Sequence, residues 1–140
     1  MKALGNHVIA ELSHCHPGVL SDLEKVQEAM IRAAKEARAT VREVAFHKFY
    51  PHGVSGVVVL SESHIAIHTW PEHGYAAIDV YTCGDHTDPR RACQYLAEAF
   101  GSKTMSTTVV ERGVPTPFGS FNHVVAESHN DSLRLVSNAS

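Results

Sequence analysis

The 140-residue sequence has no long apolar run, no excess of basic charge and very little cysteine. No stretch approaches the roughly 20 consecutive apolar residues of a membrane-spanning helix. The opening MKALGNHVIAEL also lacks the apolar core of a secretory signal. No membrane partner is expected, and the cytoplasm is the expected location. Lys and Arg number 12 against 15 Asp and Glu, a formal net charge of −3. That balance offers no basic face to a nucleic-acid backbone, so nucleic acid is not an expected partner. The three cysteines, Cys15, Cys83 and Cys93, cannot all pair within one chain, and none sits in a CxxC. In a reducing compartment they read as thiols. Cys93 falls on an apolar helical stripe and reads as a small buried residue, whereas Cys83 keeps a chemical option. No internal repeat is present.

What is present suits one globular domain with a core of its own: 44% of residues are hydrophobic and 19% charged. Residues 7–12 read as a first strand and HCHPG at 14–18 as a loop. Over residues 22–37, Leu23, Val26, Met30, Ala33 and Ala37 draw one stripe down a helix. Ser21 with Glu24 gives a capping-box signature at its start. Residues 40–50 and 56–60 read as strands. Residues 65–70 alternate, with Ile65, Ile67 and Thr69 opposite Ala66, His68 and Trp70. After a turn at 71–74, residues 75–83 alternate again, with Ala76, Ile78 and Val80 opposite Ala77, Asp79, Tyr81 and Cys83. Asp88-Pro89 starts a second helix whose stripe is Ala92, Cys93, Leu96, Ala99 and Phe100. Residues 104–111 give a last strand. Beyond Gly113 the composition turns to Pro, Gly, Ser and Asn without a period, and a loose tail over 113–140 is expected. The class is α+β, in the order β-α-β-β-β-α-β: an antiparallel sheet with two helices on one face. Two helices leave the other sheet face bare, so a second chain packing there is expected.

Eleven histidines invite a metal reading from His64, His68, His73 and Cys83. Four residues of strand span about 13 Å, too far for His64 and His68 to share one ion at zinc–nitrogen distances of about 2 Å. No metal is therefore expected. Ser55 in GVSG fails as a hydrolase nucleophile elbow, because position 57 is Val and a strand follows where a helix is needed. His47, His52, His73, His86, His123 and His129 read as surface or structural residues.

A third chemistry is open to the bond between Glu62 and Ser63. A serine hydroxyl can attack the carbonyl carbon before it to give an ester. Loss of the serine α-proton then expels the ester, cuts the chain and leaves dehydroalanine, which hydrolyses to a pyruvoyl group. The reaction needs a hydroxyl donor and a base, and Ser55 and His68 are of those types.

The stretch GVSGVVVLSESHIAIHTWPEHGYAAIDVYTCG, from Gly53 to Gly84, resembles the pyruvoyl-dependent S-adenosylmethionine decarboxylase proenzymes of the short prokaryotic type. FHKF at 46–49 and the opening KALGNHVIAEL extend the resemblance, which covers roughly residues 1–112. It implies autocatalytic cleavage between Glu62 and Ser63. Ser63 would become the covalent pyruvoyl group, in place of pyridoxal phosphate, and form a Schiff base with the substrate amine. By the same resemblance, Ser55 and His68 assist processing, with His68 taking the α-proton. Cys83 gives a proton in the decarboxylation, Phe49 and His68 stack on the adenine, and Glu72 holds the ribose hydroxyls. The implied product is the aminopropyl donor for spermidine synthesis. Arginine or ornithine are neighbouring substrates for the same chemistry, and an uncleaved binding module is the reading of a different class.

Strand parity bears on the site independently. Ser63 and His68 are five apart, so on one regular strand they face opposite sides. Either the chain turns at SESH or the His68 that serves Ser63 belongs to another protomer. The resemblance implies the second: a homodimer, as a four-layer αββα sandwich, in which Ser63 and Cys83 of one chain meet Phe49, Ser55, His68 and Glu72 of the other.

Overall fold

The computed structural model describes residues 3–61 and 63–132. Seven strands form one antiparallel sheet: β1 (Gly5–Ser13), β2 (Val41–Lys48), β3 (Val54–Leu60), β4 (Ser63–Trp70), β5 (Tyr75–Thr82), β6 (Thr104–Pro115) and β7 (Phe121–Ser132). Their spatial order is β2-β3-β4-β5-β1-β6-β7. Three helices accompany them: a single turn α1 (Pro17–Leu20), then α2 (Leu23–Glu36) and α3 (Pro89–Ala99). Helix α2 lies against β2 and β3, α3 against β1 and β5, and the two helices pack on each other.

The expected alternation places the core. Ile65, Ile67 and Thr69 of β4 and Ala76, Ile78 and Val80 of β5 are buried under the helices, joined by Val8, Ala10 and Leu12 of β1. The helices answer with Val26, Met30, Ala33, Ala92, Cys93, Leu96 and Phe100, all essentially inaccessible. Burying side chains of this size gains about 1.5–3 kcal/mol each, before chain entropy is set against it. Gly56 serves the same layer, because the Phe46 ring lies flat against it and a Cβ there would come within 2.0 Å of that ring. Among the described residues the opposite sheet face carries no helix. It exposes Ile9, Val59, Phe49 and Trp70 by 37–46% each.

Three expectations are corrected. First, four strands lie between the two long helices, matching the four segments 40–50, 56–60, 65–70 and 75–83 but not the order β-α-β-β-β-α-β, which counts one too few. Second, helix α2 is capped by Asp22, whose carboxylate accepts from the Lys25 amide at 3.1 Å. Ser21 instead closes α1, its hydroxyl donating to the Pro17 carbonyl at 2.9 Å. Third, the chain beyond Gly113 is not a loose tail as far as residue 132. Strand β6 continues to Pro115 and β7 pairs along it, with register shifts between Val109 and Val110 and between Glu111 and Val114. Every β7 residue is exposed. The backbone ladder holds this strand, aided by an ion pair from Arg90 to Glu127, so no buried side is written into its sequence. The Asp88-Pro89 start of α3 is as expected, with Asp88 accepting from the Arg91 amide at 3.2 Å.

Candidate active site

Strand β4 is the spine of the site. Residues 61–62 join it to β3, and Ser63 pairs with Leu60 directly across that short connection. The Ser63 hydroxyl is turned back over the connection and donates to the Ser61 carbonyl at 3.1 Å. Arg42 steadies the same turn, its Nε donating to Ser61 Oγ at 2.8 Å. Glu62, expected to precede the cut, lies outside the described residues. On the other flank His64 pairs with Tyr81, so the end of β5, followed by Cys83, runs alongside the start of β4.

A second group lies toward the far end of β4. Ser55 and His68 face each other across the β3–β4 ladder, and Ser55 Oγ lies 2.8 Å from His68 Nδ1. On β2, His47 is opposite Ser55 and packs edge-on against the Phe49 ring at 4.6 Å. Trp70 sits 6.3 Å from the His68 ring and stacks on Tyr75 at 5.2 Å. The Tyr75 hydroxyl donates to Glu11; burial first, then that carboxylate, push it up to about 12. Glu72 is exposed on the one-turn 3₁₀ helix that follows Trp70.

Pairing along β4 is unbroken from Ser63 to His68. Five residues of strand span about 17 Å, and the odd separation puts the two side chains on opposite faces. One chain therefore brings Phe49, Ser55, His68 and Glu72 together at one end of the sheet. It sets Ser63 and Cys83 at the other end. Of the four histidine and cysteine positions weighed for a metal, His64 and His68 share a face but stay four residues apart.

A cluster absent from the sequence reading stands beside Ser63 on the open face. Asp79 Oδ2 lies 2.9 Å from His7 Nε2 and 2.7 Å from His64 Nε2. Arg112 Nη1 reaches His7 Nδ1 at 3.1 Å. Burial pulls the Asp79 carboxyl up, but the two imidazole donors outweigh it and hold it below the usual carboxylate range. The signal was present only as parity: His7, Tyr81 and His64 share one cross-strand row, which cannot be read before the β1–β5–β4 register is known. Between this cluster and His68 the open face dips into a cleft of about 270 Å³, flanked by Ile9 and Glu11 and floored by Ala77.

The comparisons with known proteins agree on one family. The family model described as S-adenosylmethionine decarboxylase matches residues 6–113. An S-adenosylmethionine decarboxylase proenzyme of Carboxydothermus hydrogenoformans is 63% identical over 114 residues, covering 81% of this chain and 90% of that protein. Its counterpart in Moorella thermoacetica is 58% identical over 117 residues, covering 84% and 94%. Among solved structures, the adenosylmethionine decarboxylase of Aquifex aeolicus superposes with a TM-score of 0.77 at 39% identity, over 84% of this chain and 97% of that one. The Trypanosoma brucei AdoMetDC-delta26 monomer shares the fold, with a TM-score of 0.58 at 12% identity, over 81% of this chain and 48% of that one. Among the described residues no helix is long and apolar enough to cross a membrane. The chain belongs to the S-adenosylmethionine decarboxylase family.

Proposed function

We propose that the chain is a proenzyme that cuts itself between Glu62 and Ser63 and then decarboxylates S-adenosylmethionine. Its product would be the aminopropyl donor of spermidine synthesis, made in the cytoplasm. The observation that carries this reading is Ser63 at the start of β4, its hydroxyl turned back over the connection to β3. In this reading Oγ attacks the carbonyl carbon before it. The bond from that carbon to the Ser63 nitrogen breaks as the ester forms. Removal of the Ser63 α-proton then expels the ester as the Glu62 carboxylate, which carries off the former Oγ. Water replaces the nitrogen at the resulting dehydroalanine and releases ammonia, leaving a ketone. Both new chain ends stay in the sheet, since β3 is paired with β2 and β4 with β5.

The residues present fit a pyruvoyl group at position 63, because a three-carbon α-keto acyl group needs no more room than the serine it replaces. Such a group supplies a carbonyl for the substrate α-amine and a conjugated sink for the electrons left by departing carbon dioxide. The protein's own side chains do the rest. His68 takes the α-proton during processing: in the tautomer that donates Nδ1–H to Ser55 Oγ, the lone pair is free on Nε2. Cys83 gives a proton to the substrate α-carbon after decarboxylation, a step for which a positioned thiol can serve as general acid. Delivery to the wrong carbon would transaminate the reactive group, so the placement of Cys83 beside the start of β4 matters. Phe49 and His68 sandwich the adenine, and Glu72 accepts from the ribose hydroxyls.

The separation of Ser63 from His68, about 17 Å along an unbroken β4, supports a homodimer with two shared sites, in which Ser63 and Cys83 of one protomer meet Phe49, Ser55, His68 and Glu72 of its partner. Face-to-face packing of two bare sheets would make the four-layer sandwich, and the cleft leaves room in it for a ligand. Residues 1–112 form the decarboxylase domain in this reading. Intact mass tests cleavage: fragments 1–62 and 63–140 support it, whereas one uncut chain that borohydride cannot link to an amine supports a binding module. Release of labelled carbon dioxide from S-adenosylmethionine, arginine and ornithine then fixes the substrate.

A further inference from the structure

We propose that the chain Arg112–His7–Asp79–His64 is the anchor that holds the new chain end, and with it the reactive group, in place after cleavage. The inference rests on the reading that the chain cuts itself before residue 63. Once it does, the first residue of β4 becomes a chain terminus, and termini fray unless tied down. The Ser63 hydroxyl bond to the Ser61 carbonyl disappears in the process, because its oxygen leaves with the Glu62 carboxylate. His64 is then the second residue of the new chain, and its amide nitrogen carries the reactive group. Its ring is bound by Asp79 at 2.7 Å.

The cluster is built to give that bond one direction. Arg112 is always protonated and donates to His7 Nδ1. The lone pair of His7 is thereby at Nδ1 and its proton at Nε2, which donates to Asp79 Oδ2. His64 Nε2–H donates to the same oxygen. The three ligand atoms lie within 4.8 Å of one another, a spacing that would suit a cation. Protons rather than lone pairs face their centre, however, so the arrangement is an anchor and not a cage. Tyr81 packs between the imidazoles, 5.4 Å from His7 and 6.0 Å from His64. Gly5 makes space for it, since a Cβ there would lie 2.4 Å from the Tyr81 hydroxyl. Four strands (β1, β4, β5 and β6) thus converge on one residue beside the cut. These are positioning residues: none needs to touch substrate.

The test uses full-length wild type, His64→Ala, His64→Gln and Arg112→Met, each checked for cleavage by intact mass. On cleaved protein, His64→Ala should lose amide-exchange protection at residues 65–67. Its kcat should fall about 10- to 100-fold, with KM moving less than about threefold, the penalty of a misplaced reacting atom. His64→Gln keeps an N–H within reach of Asp79 and should regain most of both. Arg112→Met leaves His64 in place and should show a smaller loss in the same two readouts. Wild-type exchange and kcat in cleaved His64→Ala overturn the anchor, as does a His64→Gln variant no better than His64→Ala. Should His64→Ala stall before cleavage, wild-type values in cleaved Arg112→Met overturn it instead. Wild type that never cleaves defeats the processing reading itself, and its own mass shows that before any variant is compared.

Discussion

Ser55 Oγ and His68 Nδ1 lie 2.8 Å apart across the β3–β4 ladder, on the face of β4 opposite the one to which Ser63 points. The two proposed processing helpers are therefore already paired with each other, and what they lack within one chain is the serine they would serve. Unbroken pairing from Ser63 to His68 leaves no bulge that could reverse the parity.

Subunit mixing follows directly. Ser63→Ala and His68→Ala homodimers should each be inactive. Co-expressed in equal amounts, half of the dimers are mixed under two-fold symmetry. Each mixed dimer carries one doubly defective site and one intact site, so about a quarter of wild-type activity should return. A mixture as inactive as its parents, or a fully active monomer at high dilution, would sink the shared site.

Cleavage and turnover should separate at Cys83. Ser63→Ala should give one uncut mass and no decarboxylation. Cys83→Ala should yield both fragments, because the thiol is not needed to form or expel the ester. Its kcat should fall by about 10²–10⁴, the usual contribution of a positioned general acid. Equal loss of cleavage and turnover in Cys83→Ala would remove the thiol from its assigned step.

Much of this was legible in the sequence, for local reasons. The alternation of Ile65, Ile67 and Thr69 against Ala66, His68 and Trp70 fixes which side of β4 is core, because one face is buried and the other is not. Asp88-Pro89 fixes the start of α3 through a cap confined to four residues. Strand β7 escaped because it is wet on both sides, and a ladder made of backbone bonds leaves no hydrophobic period. The Ser21 cap was off by one because Ser21 serves the preceding turn, while the neighbouring Asp22 supplies an equally good oxygen. The His7–Asp79–His64 cluster was invisible for a third reason. Its members are 15 and 72 residues apart, and only the strand register brings them together.

The Asp79 cluster should show in the pH dependence of stability. Its carboxyl is held below its ordinary value in the folded chain. The stability it adds is therefore fully present above the unfolded value of about 3.9 and is lost as pH falls through the lower folded value. Melting temperatures of wild type and Asp79→Asn should differ at pH 6–7 and converge below about pH 4. A gap that widens with acid contradicts the assignment of the ionised form as the one stabilised.

Substrate choice should be read at Phe49 and Glu72. Phe49 is 46% exposed, with the His47 ring packed edge-on against it, so an adenine can cover the exposed part of its ring. Stacking on an aromatic ring contributes about 1 kcal/mol, and a charged acceptor for hydroxyls about 1.5–3 kcal/mol. Phe49→Ala should then raise KM for S-adenosylmethionine several-fold, and Glu72→Gln about 10- to 100-fold, with kcat changed less in both. A small basic amino acid has neither adenine nor ribose, so turnover of arginine or ornithine would be indifferent to both substitutions. If neither variant moves KM for S-adenosylmethionine, the nucleoside is not held at this end of the sheet.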